Sequence, residues 1–197
     1  MKKCLFLLAL VLLALSACGQ EPSLGLPTLE EVAALEDMYG IEREEFLERV
    51  GVRVEELDQD LSDQHADAVR FLSDRTIAGE PVYVLAVFIR QAEDAPKALV
   101  QLDLSFELDA AGEDLSERIH ALLDEAISLY GEARISGSVD LDICLSWMEK
   151  TGAGINMDNG AGWYLGKRTT LSMSISSTKG SEKVQIRMHF QMQPVIP

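Results

Sequence analysis

In several segments between Val69 and Met192, apolar residues return at every second position, a period that half-buried β-strands satisfy and helices do not. The segment 98–108 is the cleanest case. Val100, Leu102, Leu104, Phe106 and Leu108 point one way, and Gln101, Asp103, Ser105 and Glu107 point the other. Thr169–Ser176 turns Leu171, Met173 and Ile175 inward, and Val184–Met192 does the same with Val184, Ile186, Met188, Phe190 and Met192. Lys179-Gly180-Ser181 supplies a hairpin turn between those two strands. A further strand is expected at 139–148, with Val139, Leu141, Ile143, Leu145 and Trp147 opposing Asp140, Asp142, Cys144, Ser146 and Met148. Val82–Arg90 is apolar on both faces, the mark of a central strand. A weaker strand, Val69–Ile77, precedes it across the turn Ala78-Gly79-Glu80-Pro81.

The period changes once within this region. Leu115, Ile119, Leu122, Leu123, Ala126, Ile127 and Tyr130 recur at spacings of three and four, predicting a helix over about 113–130 that Gly131 closes. Shorter helices are expected near the N-terminus. Thr28 caps a helix with Glu30 and Glu31 in its first turn, ending at Gly40. A second runs from about Glu42 to Val50, with Phe46, Leu47 and Val50 on one face and Gly51 as its stop, and Val54–Leu61 adds a short third turn. The expected fold is α+β: N-terminal helices, then a largely antiparallel sheet of about five to six strands with the long helix packed on one face. Residues 28–197 form one domain in this reading.

The first 17 residues stand apart. Lys2 and Lys3 precede an unbroken apolar run, Cys4–Leu15, which ends in small residues; this is the order of a secretory signal. The run is too short for a permanent membrane helix, which needs about 20 residues. Leu15-Ser16-Ala17-Cys18 resembles the lipobox of bacterial lipoproteins: a leucine, two small residues and a cysteine. The resemblance implies cleavage before Cys18, a diacylglycerol on its sulfur, and residence on the extracytoplasmic side of the cell membrane. Ordinary secretion with Cys18 left as a thiol is the alternative. Residues 1–17 are then signal peptide, and 18–27 (CGQEPSLGLP) a lipidated tether without periodicity.

Removing 17 of the 197 residues leaves 180, enough to bury a core without staples. With Cys4 removed and Cys18 acylated, Cys144 is the single free thiol, so no intrachain disulfide is expected. The formal charge of −16 becomes −18 once Lys2 and Lys3 are lost, which argues against a nucleic-acid partner. Charge is uneven: residues 21–67 carry a net −12, residues 68–149 a net −10, and residues 150–197 a net +4. Such asymmetry marks either an acidic arm for a partner or acidic N-terminal helices packed over a basic C-terminal sheet, and the second account is preferred.

The chemistry-bearing motifs in the chain are mostly near misses. Gly160–Arg168 has Ala161 where a phosphate loop needs glycine and Arg168 where it needs Ser or Thr, so it reads as a flexible hairpin loop. Asp58, Asp60 and Ser62 begin like a calcium loop, but Asp63 and Val69 fall where glycine and a bidentate carboxylate belong; a solvated acidic turn fits better. No nucleophile elbow and no metal-ligand histidine spacing occur. A Cys144–His189 pair requires their strands to adjoin, and a passive thiol beside an exposed histidine is the simpler reading. His120 reads as a boundary residue of the long helix.

No cofactor, metal or catalytic residue is therefore expected. The expected function is a membrane-anchored binding or interaction module with a protein partner in the cell envelope. The alternatives are an accessory subunit of an envelope complex or an extracytoplasmic hydrolase with a dispersed site. The candidate working surface is the polar side of the sheet: Asp140, Asp142, Ser146, Thr170, Ser172, Ser174, Gln185, Arg187, His189, Gln191 and Gln193; the alternatives are an ordinary solvent-exposed face or one hidden beneath the acidic N-terminal helices. Short hydroxyl and amide side chains dominate that set, and Arg187, His189 and Gln191 are its strongest candidates for ligand contact.

Overall fold

The computed structural model describes residues 24–34, 40–133, 135–136, 146, 156–166, 169–178 and 180–192. The signal segment, Cys18, Cys144, Asp140, Asp142 and Gln193 lie outside them. No helix among the described residues is long and apolar enough to cross a membrane.

Helix α1, Leu29–Ala34, starts where the sequence places its cap. Thr28 Oγ1 accepts from the Glu31 N–H at 3.2 Å and Glu31 Oε2 accepts from the Thr28 N–H at 3.1 Å, a reciprocal capping box. Helix α2, Arg43–Val50, buries Phe46, Leu47 and Val50 and ends at Gly51, whose φ of 72° is the left-handed conformation that glycine adopts without strain. After a 3₁₀ turn at Val54–Glu56 the chain enters the sheet with β1 (Gln59–Ser62), β2 (Ala66–Ile77), β3 (Glu80–Arg90) and β4 (Lys97–Asp109). Helix α3, Leu115–Tyr130, follows, and then β5 (Ile135–Ser136), β6 (Asn156–Leu165), β7 (Thr169–Ser177) and β8 (Lys183–Met192).

The α+β class is correct, but the sheet is larger than five to six strands and dominates the fold. Seven strands of four or more residues and the two-residue β5 form one sheet in the order β1-β2-β3-β4-β8-β7-β6-β5, antiparallel at every pairing. Two meanders meet at its centre, where β4 and β8 are in register from Gln101↔Gln191 to Asp109↔Lys183. Val82–Arg90 is therefore not central, since β3 is third from the β1 edge.

One face is the core. Val82, Val84, Ala86 and Phe88 of β3 are buried there with Leu102, Leu104, Phe106 and Leu108 of β4 and Val184, Ile186, Met188 and Phe190 of β8. All three helices pack on this face. Phe46 of α2 meets Phe88 edge-on, with ring centroids 5.6 Å apart. Tyr130 at the end of α3 donates to the Leu29 carbonyl of α1 at 2.6 Å, and Trp163 of β6 donates to the Gly131 carbonyl at 2.8 Å.

Four local expectations are corrected. The register shifts between Val87 and Phe88 of β3, so β4 bulges and Leu99, not Val100, enters the core. Gln59–Ser62 is an edge strand rather than part of a helical turn. Gly160–Leu165 is strand, because Trp163 and Leu165 have core to fill, and Gly166 is in a turn. The strand expected at 139–148 lies outside the described residues except for Ser146, which is helical rather than extended.

Candidate functional site

The face opposite the helices carries the side chains that alternate with the core set. Antiparallel register aligns them in rows across the strands. One row runs Arg70, Leu85, Asp103, His189, Ser172 and Gly162; the next holds Leu72, Tyr83, Ser105, Arg187 and Ser174; a third holds Ala68, Val87, Gln101, Gln191 and Thr170. The expected contact residues Arg187, His189 and Gln191 thus stand together at the middle of the sheet. The helices cover the other face, so this one does not lie beneath α1 and α2.

The centre of the cluster is Asp103, whose side chain is only 2% exposed. His189 Nδ1 lies 2.6 Å from its Oδ1, and the Gln101 amide donates to both carboxylate oxygens, at 3.2 and 3.1 Å. Arg187 Nε is 4.0 Å from Oδ2. A buried carboxylate is tolerated only when its acceptors are used, and here they are. Because a carboxylate only accepts, His189 must carry its hydrogen on Nδ1, which leaves Nε2 as the nitrogen open to a ligand. The His189 and Arg187 side chains are 30% and 48% exposed, and Gln191 is exposed. A fixed imidazole, an accessible guanidinium and flanking hydroxyls and amides can hydrogen-bond a polar or anionic group.

Residue by residue, the expected surface is partly assembled. Thr170, Ser172, Ser174 and Gln185 share this face with the three contact candidates. His189 is flanked by β4 and β7, and Cys144, its imagined partner, lies outside the described residues. Asp103 and Gln101 were legible as polar-face residues but not as members of the site, because nothing local announces that β4 pairs with a strand more than 80 residues away.

Elsewhere the described ion pairs are local, and Lys150, Lys167, Arg168 and Lys179 of the basic C-terminal set lie outside the described residues. The acidic N-terminal region pairs with nearby cations: Glu31 with Arg75 at 2.8 Å, Asp60 with Arg43 at 2.6 Å, and Asp58 with Arg70 at 3.0 Å. None of these pairs joins the N-terminal helices to the C-terminal strands; Glu31–Arg75 and Arg43–Asp60 tie α1 and α2 to β2 and β1, beside the apolar packing of the helices on the sheet. The calcium-like segment is a hairpin turn in which Asp63 Oδ1 accepts from the His65 and Ala66 N–H groups, which hold its carboxyl below the usual value. His120 Nδ1 lies 2.7 Å from the Ser116 carbonyl within α3.

Two clefts lie away from the cluster. One of about 460 Å³ sits where β2 bulges past Val50-Gly51-Val52 and includes Arg75; the other, about 420 Å³, lies between His65 and Arg90. Their charged groups are largely engaged, Arg75 by Glu31 and the Gly25 carbonyl, and Arg90 by the Glu93 carbonyl. Among the described residues no three His, Cys, Asp or Glu side chains gather as a metal site would require. Comparison with protein-family models, curated proteins and solved structures finds no match to this chain.

Proposed function

We propose that this chain is a lipid-anchored extracytoplasmic binding or interaction module whose ligand surface is the polar outer face of its sheet. The observation that carries the reading is Asp103: a carboxylate buried on an otherwise solvent-facing side, holding His189 in one orientation beside Arg187. Burying a charge is costly, and a surface that only needs solvation has no use for it. Arg187, His189 and Gln191 are the ligand contacts in this proposal, and Cys18 carries the lipid. The partner is a protein of the cell envelope, and an accessory subunit of an envelope complex would present the same face.

The test is capture from native membranes by the wild-type chain and by the triple variant Arg187→Ala, His189→Ala, Gln191→Ala, with matched melting temperatures. Loss of a specific partner in the variant supports the reading. Undiminished capture moves the site to another surface.

A second reading has one observation behind it. Asp103, His189 and Ser172 occupy one row on three adjacent strands, the residue types of a hydrolytic triad. Ser172 is paired on both sides, with Gly162 and with His189, so the surrounding backbone N–H groups serve the ladders rather than an oxyanion. Hydrolysis of p-nitrophenyl acetate that is abolished by Ser172→Ala would favour the hydrolase over the binding module.

A further inference from the structure

The outer face is not uniformly polar. Beside the polar column of β4 and β8 runs an apolar one on β3, Tyr83, Leu85 and Val87, each a register partner of Ser105, Asp103 or Gln101. Leu72 of β2, 53% exposed, and Ile89 of β3, 39% exposed, extend it. This explains why Val82–Arg90 is apolar on both faces although β3 is not central: one side fills the core and the other faces outward. Arg70 stacks over Tyr83, 4.1 Å from the ring centroid, and is paired with Asp58.

Two strand-to-strand steps separate Leu85 from His189, about 10 Å at 4.7–4.9 Å per step. The apolar column from Tyr83 to Ile89 is about 20 Å long and about 5 Å wide, so it presents roughly 100 Å². A standard protein interface needs about 800 Å² from each partner, several times more. The column by itself is sized for a single small molecule, and a protein partner would cover the polar columns as well.

The charge balance identifies its head. Arg187 sets one accessible positive charge on this face, beside the buried carboxylate of Asp103 that His189 and Gln101 already engage. That suits a monoanionic carboxylate, which the planar guanidinium grips through two parallel hydrogen bonds, better than a phosphate ester carrying nearly two charges. Of the other charges on this face, Arg70 is paired with Asp58, and Glu107, Asp109 and Lys183 stand toward the far end of β4 and β8, where Asp109 and Lys183 are register partners.

We infer that the outer face binds a carboxylate-bearing amphiphile, its carboxylate on Arg187 and its apolar body along Leu85 and Val87. This rests on the polar face being the ligand surface, and it names the class of ligand. It is tested by calorimetry on the full chain in phosphatidylcholine nanodiscs, subtracting empty discs, with acetate, octanoate and octanamide as probes. Octanoate is expected to bind at least tenfold more tightly than acetate, which lacks the apolar body, and than octanamide, which lacks the charge. Arg187→Ala should erase the octanoate–octanamide difference. Val87→Thr, nearly isosteric, should narrow the octanoate–acetate ratio and leave acetate unchanged. Melting temperature and circular dichroism confirm that each variant is folded.

Equal binding of octanoate and acetate would reduce the site to a bare anion site and overturn the inference. Equal binding of octanoate and octanamide would remove the role of Arg187 and overturn it too, as would no octanoate binding at millimolar concentration. If octanoate fails while the triple variant still loses a captured protein, the polar face remains the ligand surface and only the amphiphile is wrong.

Discussion

Glu80 and Arg118 meet in two parallel hydrogen bonds, both 2.6 Å, that join the start of β3 to the first half of α3. The Glu80 side chain is 10% exposed, and its bond to Arg118 holds the guanidinium above its ordinary value despite partial burial. Removing one partner strands the other charge near the core. Arg118→Ala should destabilise by about 2–3 kcal/mol, the lower end for a broken buried pair because Arg118 is part exposed. Urea unfolding measures it. Pairing Glu80→Leu with Arg118→Leu should recover most of the loss, and failure to recover would mean the clamp is worth more than its charges.

Asp67 and Lys97 form a similar pair at 2.6 Å, each side chain 15% exposed. Burial alone would raise the Asp67 carboxyl, but hydrogen bonds from Lys97 and Ser62 and the nearby charges of Lys97 and Arg43 outweigh it and hold the carboxyl below its ordinary 3.8. A depressed carboxylate contributes stability that is present above the unfolded value and lost as pH falls through the folded one. Urea midpoints should therefore drop as pH goes below about 4. Asp67→Asn should be less stable at neutral pH and lose less on acidification, and an unchanged acid slope would contradict the pairing.

The bulge in β4 makes a sharp claim about two adjacent residues. Leu99 is fully buried and Val100 half-buried. Leu99→Ala should cost about 2–5 kcal/mol, and Val100→Ala about 1 kcal/mol or less. Denaturant unfolding of the two variants decides it; the reverse order would restore the unbulged register.

His189 should be found with its hydrogen on Nδ1 whenever it is neutral, because Asp103 Oδ1 accepts there. Long-range proton–nitrogen NMR reads the tautomer directly. Asp103→Asn replaces an acceptor with a group that can donate, and should shift the population toward the Nε2–H form. A wild-type Nε2–H tautomer would dismantle the site.

Anchoring through Cys18 is checked by fractionation. Cys18→Ser should leave the membrane fraction after a salt wash, while wild type stays. Retention of the variant would mean that something other than a lipid on Cys18 holds the protein.

Features under local physical control are legible in the residues alone. Thr28 and Glu31 spell a capping box, Gly51 ends α2, and the stripe Leu115, Ile119, Leu122 and Ala126 specifies α3 and the face it buries. Alternation in 169–176 and 184–192 sorted the side chains of β7 and β8 between the two faces, because strand geometry leaves no third choice. Asp103 and Ser105 illustrate the limit. Alternation put them on the polar face, yet both are buried there, because burial on that face depends on which strands lie alongside. The displacement of Val100 by Leu99 is likewise a property of the β3–β4 pairing and leaves no mark in the pattern of β4 alone. Only tertiary structure laid β8 against β4 and brought His189 and Arg187 to Asp103. Joining residues 86 positions apart is a matter of long-range packing free energy, which no short window of sequence contains.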